Sequence, residues 1–467
     1  MDLKLSYPRH LFAPNRCQTL LHSLTSFGLK NMQLAQIITA RFKPLQTRLS
    51  RGKNRYIIES DGVCLPSGPV IPKRPKIKMA KAPNSDVLVI SCPDPTAEER
   101  ERDFHQQRGQ RLSRQEQWVD ISIAIQSADR CLRKTDGGLP VADLIGFGAR
   151  ADVVNACEHA LMSGKPAKDA PLLDGIEELE TVLADHPNDY AIATIVAHAH
   201  MDMGWSWRGG RWDVEISETN NNAFDAHFDR AADILALFKD MSPKPAFLAA
   251  AECAQLAGRK NASDDIARAY ETIINLDPNN ARTMRAMGNH LLPRWFGDYN
   301  ALELEARRTA ARTQKTWGAG AYTWVQFDAI AYDDIACARL DVEFFVDGLR
   351  DILKRKKDQY TVNLLAAYCA NTMGNATGGN DEADQVRSQI ADCAKWIIRE
   401  YLTELHPMLW AHAARGFDNN LQVRCADRFA ASGEADALRI IGTVFRRDIA
   451  NGNRIIFTDN GPICQPA

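Results

Sequence analysis

The sequence lacks most of the short patterns that announce chemistry. Its eleven cysteines are scattered and include no C-x-x-C, so zinc ribbons and thioredoxin-type redox motifs have no support. No run of 18 apolar residues occurs, which argues against a membrane-spanning helix. There is no Walker loop, no pair of histidines four apart as in a zincin helix, and no G-x-S-x-G elbow. Acidic residues are scarce at the start. Residues 1–83 hold fifteen Lys and Arg against three acids (Asp2, Glu59, Asp61), a balance of +12, so the remainder carries −14. This leader also contains eight prolines and no sustained helical or strand period, so it is expected to be disordered and to stay outside the core. Three readings of it stand open: a flexible arm for nucleic acid, a targeting peptide, or an over-long start with the true one at Met79.

What is present is helical periodicity. A phrase recurs: Glu180–Asp189 reads ETVLADHPND and Glu271–Asn280 reads ETIINLDPNN, each between two apolar helical stretches. This is how the junction between helix pairs reads in tetratricopeptide (TPR) arrays, where proline redirects the chain. In the unit ending at Pro278, small residues (Ala250, Cys253, Ala254, Ala257) fall on the first helix and Ile266, Tyr270 and Ile273 on the second. Small residues suit a close helix crossing and bulky ones fill the neighbouring groove. The 91 residues between the two phrases are not a multiple of the TPR length of about 34, so an insertion is needed, most simply at Arg208–Asn222. Thr96 is a candidate cap before an acidic first turn. Leu139–Met162 is expected to be one or two helices broken near Gly146 and Gly148, and Ala321–Leu340 one helix. Gly137-Gly138 reads as a loop and Lys354–Lys357 as a helix end. Residues 95–450 are thus expected to form an all-α, irregular, right-handed TPR-like solenoid, with 451–467 an irregular tail that is either a short strand or a disordered end.

Four blocks in order resemble a bacterial family of TPR-like helical proteins of unknown function. They are Trp207-Arg208-Gly209-Gly210, Ala226–Leu235 (AHFDRAADIL), Leu291–Tyr299 (LLPRWFGDY) and Asn363–Asn375 (NLLAAYCANTMGN), spanning about residues 170–400. Phe296 stands where that family shows the first of two glycines. The resemblance implies a helical-repeat fold and brings no activity, substrate or cofactor.

Two constellations invite a functional reading. His198, His200 and Asp202 in VAHAHMDMGW are spaced as in metal sites at strand ends. The stretch is Ala-rich and follows a Pro-Asn start, so helix is expected. On a helix, positions two apart point about 200° away from one another and cannot share an ion; no metal or other cofactor is therefore expected. Trp205, Trp207, Arg208, Arg211 and Trp212, with Arg294 and Trp295, could form an aromatic and guanidinium surface. They could equally plug helices and cap carbonyls. The expected function is a non-catalytic, cytoplasmic interaction scaffold that binds a protein or peptide on its concave face. The alternative is an enzyme or small-molecule binder with a pocket near Trp207–Trp212 and Trp295. Nucleic acid is expected only through the leader, and a membrane not at all.

Overall fold

The structure, a computed structural model, describes residues 86–161, 166, 172–209, 216–259, 263–375, 379–415 and 425–466. The basic leader, Arg211 and Trp212 lie outside these residues. The described chain is mostly helical. Its longer helices are α1 (Ala97–Arg114), α2 (Trp118–Arg130), α3 (Val141–Ala160), α4 (Asp174–Asp185), α5 (Tyr190–Arg208), α6 (Glu218–Ala236), α7 (Ala246–Gln255) and α8 (Ser263–Leu276). They continue with α9 (Ala281–His290), α10 (Tyr299–Arg312), α11 (Gly320–Tyr332), α12 (Val342–Arg355), α13 (Gln359–Ala367), α14 (Asp381–Glu400), α15 (Pro407–Arg415) and α16 (Ala426–Val444). No helix of the described residues is long and apolar enough to cross a membrane.

Local chemistry sets many of the ends. Thr96 and Glu99 form a reciprocal capping box on α1: Glu99 N donates to Thr96 Oγ1 at 3.2 Å and Thr96 N donates to Glu99 Oε2 at 2.8 Å. Asp189, the last residue of the first repeated phrase, accepts from Ala191 N and Ile192 N and starts α5. Pro293 follows α9 closely, where its missing N–H and ring would end a helix. Nearly every residue of α5 is buried, because α3, α4, α6 and α7 surround it. That explains its all-round apolar, Ala-rich sequence.

Packing is chiefly between helices one or two places apart: α1 on α3, α3 on α5, α5 on α6 and α7, α9 on α11, α13 on α15. Four expectations need correction. Residues 141–160 form a single unbroken helix. Its glycines are contact points: a Cβ on Gly148 would stand 2.0 Å from Gln106 O, and one on Gly109 of α1 would stand 2.1 Å from Ile145 O. Glycine in a helix costs roughly 0.5–1 kcal/mol, and here it lets two backbones touch. Residues 321–340 are not one helix, since Asp333 caps a separate turn, Asp334–Ala338. The insertion expected at Arg208–Asn222 does not run to its end as a separate unit: Glu218–Asn222 open α6, with Ser217 Oγ accepting from Asn220 N.

The fourth correction concerns the ends. The tail is not irregular: β2 (Asn453–Thr458) and β3 (Gly461–Pro466) form an antiparallel hairpin, and β2 pairs in parallel with β1 (Leu88–Val89). Alternation at Ile455 and Phe457 puts those side chains inward. Arg454 Nε donates to Asp86 O across 368 residues of sequence. Further links join distant segments. Leu405 N donates to Ser91 O, and the Arg102 guanidinium of α1 lies 4.4 Å from the Tyr360 ring centre of α13. The beginning of the helical array therefore meets its end.

Candidate functional sites

The second repeated phrase ends α8 and runs into α9. Residues 277–282, the end of that phrase and the start of α9, separate two clefts. One side is cationic. Arg282 and Arg285 of α9, Lys356 at the end of α12, Tyr360 of α13, Trp324 of α11 and Trp317 just before α11 line it, with Gly137 and Gly138 at its edge. Every charged residue lining this cleft is basic. Gly138 has φ +84°, and Gly137 N donates to Glu98 Oε2 at 2.7 Å, so the loop is pinned to α1. Glu98 also holds Thr135 Oγ1 and Arg102 Nε, at 2.8 and 2.6 Å. Burial disfavours the Arg102 charge, and Tyr360 and Glu98 outweigh it.

Arg285 is committed. Its Nε and Nη2 grip Asp328 at 2.7 and 2.5 Å, both residues being buried. Arg282 is different in surroundings: burial lowers its pKa, Asp143 and Tyr360 oppose that, and Arg102 and Arg285 add to it as like charges. Trp317 Nε1 donates to Pro278 O at 2.7 Å. Trp324 stands edge-on to it, 6.0 Å between centroids. Trp324 is 3% exposed and its indole Nε1 has no hydrogen-bond partner among the described residues.

The other cleft is rich in acceptors. Asp129 of α2, Asp143 of α3, and Asp277 and Asn280 at the junction line it, together with Phe247 and Arg133. Asp129 accepts from Tyr190 Oη at 3.0 Å and Phe247 N at 2.9 Å. Asp277 takes the Lys134 ammonium at 2.5 Å. Asp143 is half-buried, and burial pushes its carboxyl up to about 6 against the pull of Arg282.

The residues singled out in the sequence lie elsewhere. α5 is helical, and its three candidate ligands diverge. His200 Nε2 meets Glu180 Oε1 at 2.8 Å and its Nδ1 meets His227 Nδ1 at 2.9 Å, while Arg230 grips Glu180 in a fork. Asp202 binds Arg150 at 2.7 Å. His198 faces Arg150 and Phe247, and burial lowers its pKa well below the usual value. Among the described residues no three His, Cys, Asp or Glu side chains group as a metal would need. Trp205 packs edge-on against Phe224 and Phe228 of α6, and Arg208 lies 5.8 Å from the Phe224 ring centre. Trp207 is nearly buried and its carbonyl accepts from Asn220 Nδ2. Arg294 lies over Tyr332, and Trp295 is buried beside His290 and Phe296. None of these five lines either cleft.

The chain matches no protein-family model, no curated protein and no solved structure.

Sequence reasoning missed both clefts. The lining residues come from segments far apart in the chain, and each has an ordinary local explanation: loop glycines for Gly137-Gly138, a dipole-matched helix end for Lys356, a repeat junction for Asn280.

Proposed function

We propose that this protein is a non-catalytic, TPR-like interaction protein that takes an acidic group of a protein or peptide partner on its inner wall, in the cleft of Arg282, Lys356, Tyr360 and Trp324. The observation that carries this reading is the Trp324 indole N–H, a buried donor without a partner in a cleft whose charged lining is all basic. A donor left unsatisfied when buried costs about 1–3 kcal/mol, and an incoming carboxylate would supply the acceptor. Arg282 supplies charge in a poorly solvated place, where an anion is attracted more strongly than at an open surface. Trp317 and Tyr360 offer flat apolar walls beside that charge. The right-handed TPR-like arrangement belongs to the same proposal, and its support is the packing of helices one or two places apart.

The test is an array of random octapeptides displayed with free carboxyl termini and, in parallel, amidated. Acidic sequences and free termini should bind the full chain, and Lys356→Glu should weaken the retained peptides at least tenfold. Equal binding of the amidated set, or no change in the variant, would refute the assignment.

A further inference from the structure

The acceptor cleft carries an inference of its own. The two repeated phrases align residue for residue, so Asp189 corresponds to Asn280. Asp189 spends its side chain on capping α5. Asn280, also a favoured capping residue, occupies the same place before α9 and makes no side-chain cap. It is 6% exposed, it lines the acceptor cleft, and its Oδ1 has no hydrogen-bond partner among the described residues.

Asp143 shares that cleft. No hydrogen bond or ion pair within 4.0 Å reaches its carboxylate from any described residue, whereas Asp129 and Asp277 beside it are both engaged. Two unspent oxygen acceptors, one anionic and one neutral, thus border the same space. The remaining walls are apolar: Ala128, Leu132, Ala142, Phe247 and Ile273.

We propose that this cleft is a binding site for a primary alkylammonium group, with Asp143 and Asn280 Oδ1 as its acceptors. An ammonium has three donors and no acceptor, which suits a carboxylate plus an amide oxygen. Its carbon stem would lie against Phe247 and Ile273, as lysine stems lie along apolar surface. An anion would meet two acceptors, and a neutral alcohol would forgo the charge. The raised pKa of Asp143 fits this: its carboxylate is poorly compensated, and an arriving cation would stabilise the charged form. Arg133 also lines the cleft, and Arg282 and Arg150 attract the Asp143 charge while Asp129 and Asp277 oppose it; the cations already present favour a single ammonium over a polycation. The inference does not depend on the anion cleft across the junction, and either can fail alone.

The probe is n-butylammonium chloride, with n-butanol as its neutral match, titrated into the full chain at pH 7.5 by calorimetry and by saturation-transfer NMR. Butylammonium should bind saturably and butanol should not. Asp143→Asn keeps the shape and removes the charge, and should weaken binding at least tenfold. Asn280→Ala removes the second acceptor and should weaken it several-fold with an unchanged circular dichroism spectrum. Absence of saturable butylammonium binding, equal binding of butanol, or wild-type affinity in Asp143→Asn would each overturn the proposal. If Asp143→Asn fails to fold, Asn280→Ala decides: wild-type affinity there overturns it.

Discussion

Adding one methyl group at Gly148 tests the packing of the first half of the molecule. A Cβ there would stand 2.0 Å from Gln106 O, a backbone atom that cannot rotate away. Comfortable C···O contacts start near roughly 3.3 Å, so α1 and α3 would have to part by about 1 Å. The reciprocal contact, Gly109 against Ile145 O, would open with it. Overpacking of this kind costs about 1–3 kcal/mol. Alanine in a helix interior returns about 1 kcal/mol relative to glycine, so two effects of opposite sign compete. With backbone on both sides of the clash, Gly148→Ala should lose up to about 2 kcal/mol net. The assay is urea unfolding followed by circular dichroism, with Gly374→Ala as the control, because a Cβ on Gly374 meets nothing nearer than 3.7 Å. If Gly148→Ala proves more stable than the parent, the two helices are not in backbone contact and the placement of α1 is wrong. Separation of α1 would also draw Arg102 away from Tyr360, so the same variant should weaken ligand binding in the cationic cleft.

Other outcomes follow from single features. Asp328→Asn strips the partner from buried Arg285; leaving one charge of such a pair uncompensated should cost about 3–5 kcal/mol in urea unfolding, and a loss below about 1 kcal/mol would show the pair to be open to water. Burial holds His227 and His290 at about 3 in the folded chain, against 6.5 as the ordinary value. The unfolded state therefore binds more protons below pH 6.5, and stability should fall as pH drops from 6.5 towards 3, by about 1.4 kcal/mol per pH unit for each histidine; a flat profile between pH 7 and 5 would contradict their burial. Deleting residues 1–78 should leave circular dichroism and stability nearly unchanged and remove most of any nucleic-acid affinity, since the remainder is acidic. Deleting 1–94 removes β1 and should lower the midpoint clearly; equal midpoints for the two truncations would mean that the sheet contributes nothing.

Local signals were readable where the physics is local. The Thr96 cap and the Asp189 junction each depend on residues within one or two turns. Gly146 and Gly148 misled, because a glycine that breaks a helix and a glycine that admits a neighbouring backbone look alike in sequence. The hairpin was missed because β2 and β3 are short and their partner stands at the other end of the described chain. The tryptophan and arginine cluster drew attention through density, yet Trp205 and Arg208 pack on Phe224. The cleft residues Asp143 and Trp324 belong to no motif, and Asn280 belongs to one that suggests only a junction; what distinguishes Asn280 from Asp189 is an unmade hydrogen bond, visible only in three dimensions.

The parallel pairing of β1 with β2 has a consequence in time. A ribosome adds roughly 5–20 residues per second, and Asp86 is 368 residues ahead of Arg454. For roughly 20–70 s after Leu88 leaves the exit tunnel, the strand that will fasten it has not been made. The helices can assemble in order as they emerge, but the seam is sewn last. A chain that stopped after Gly452 would hold nearly the whole helical array, with β1 left unpaired.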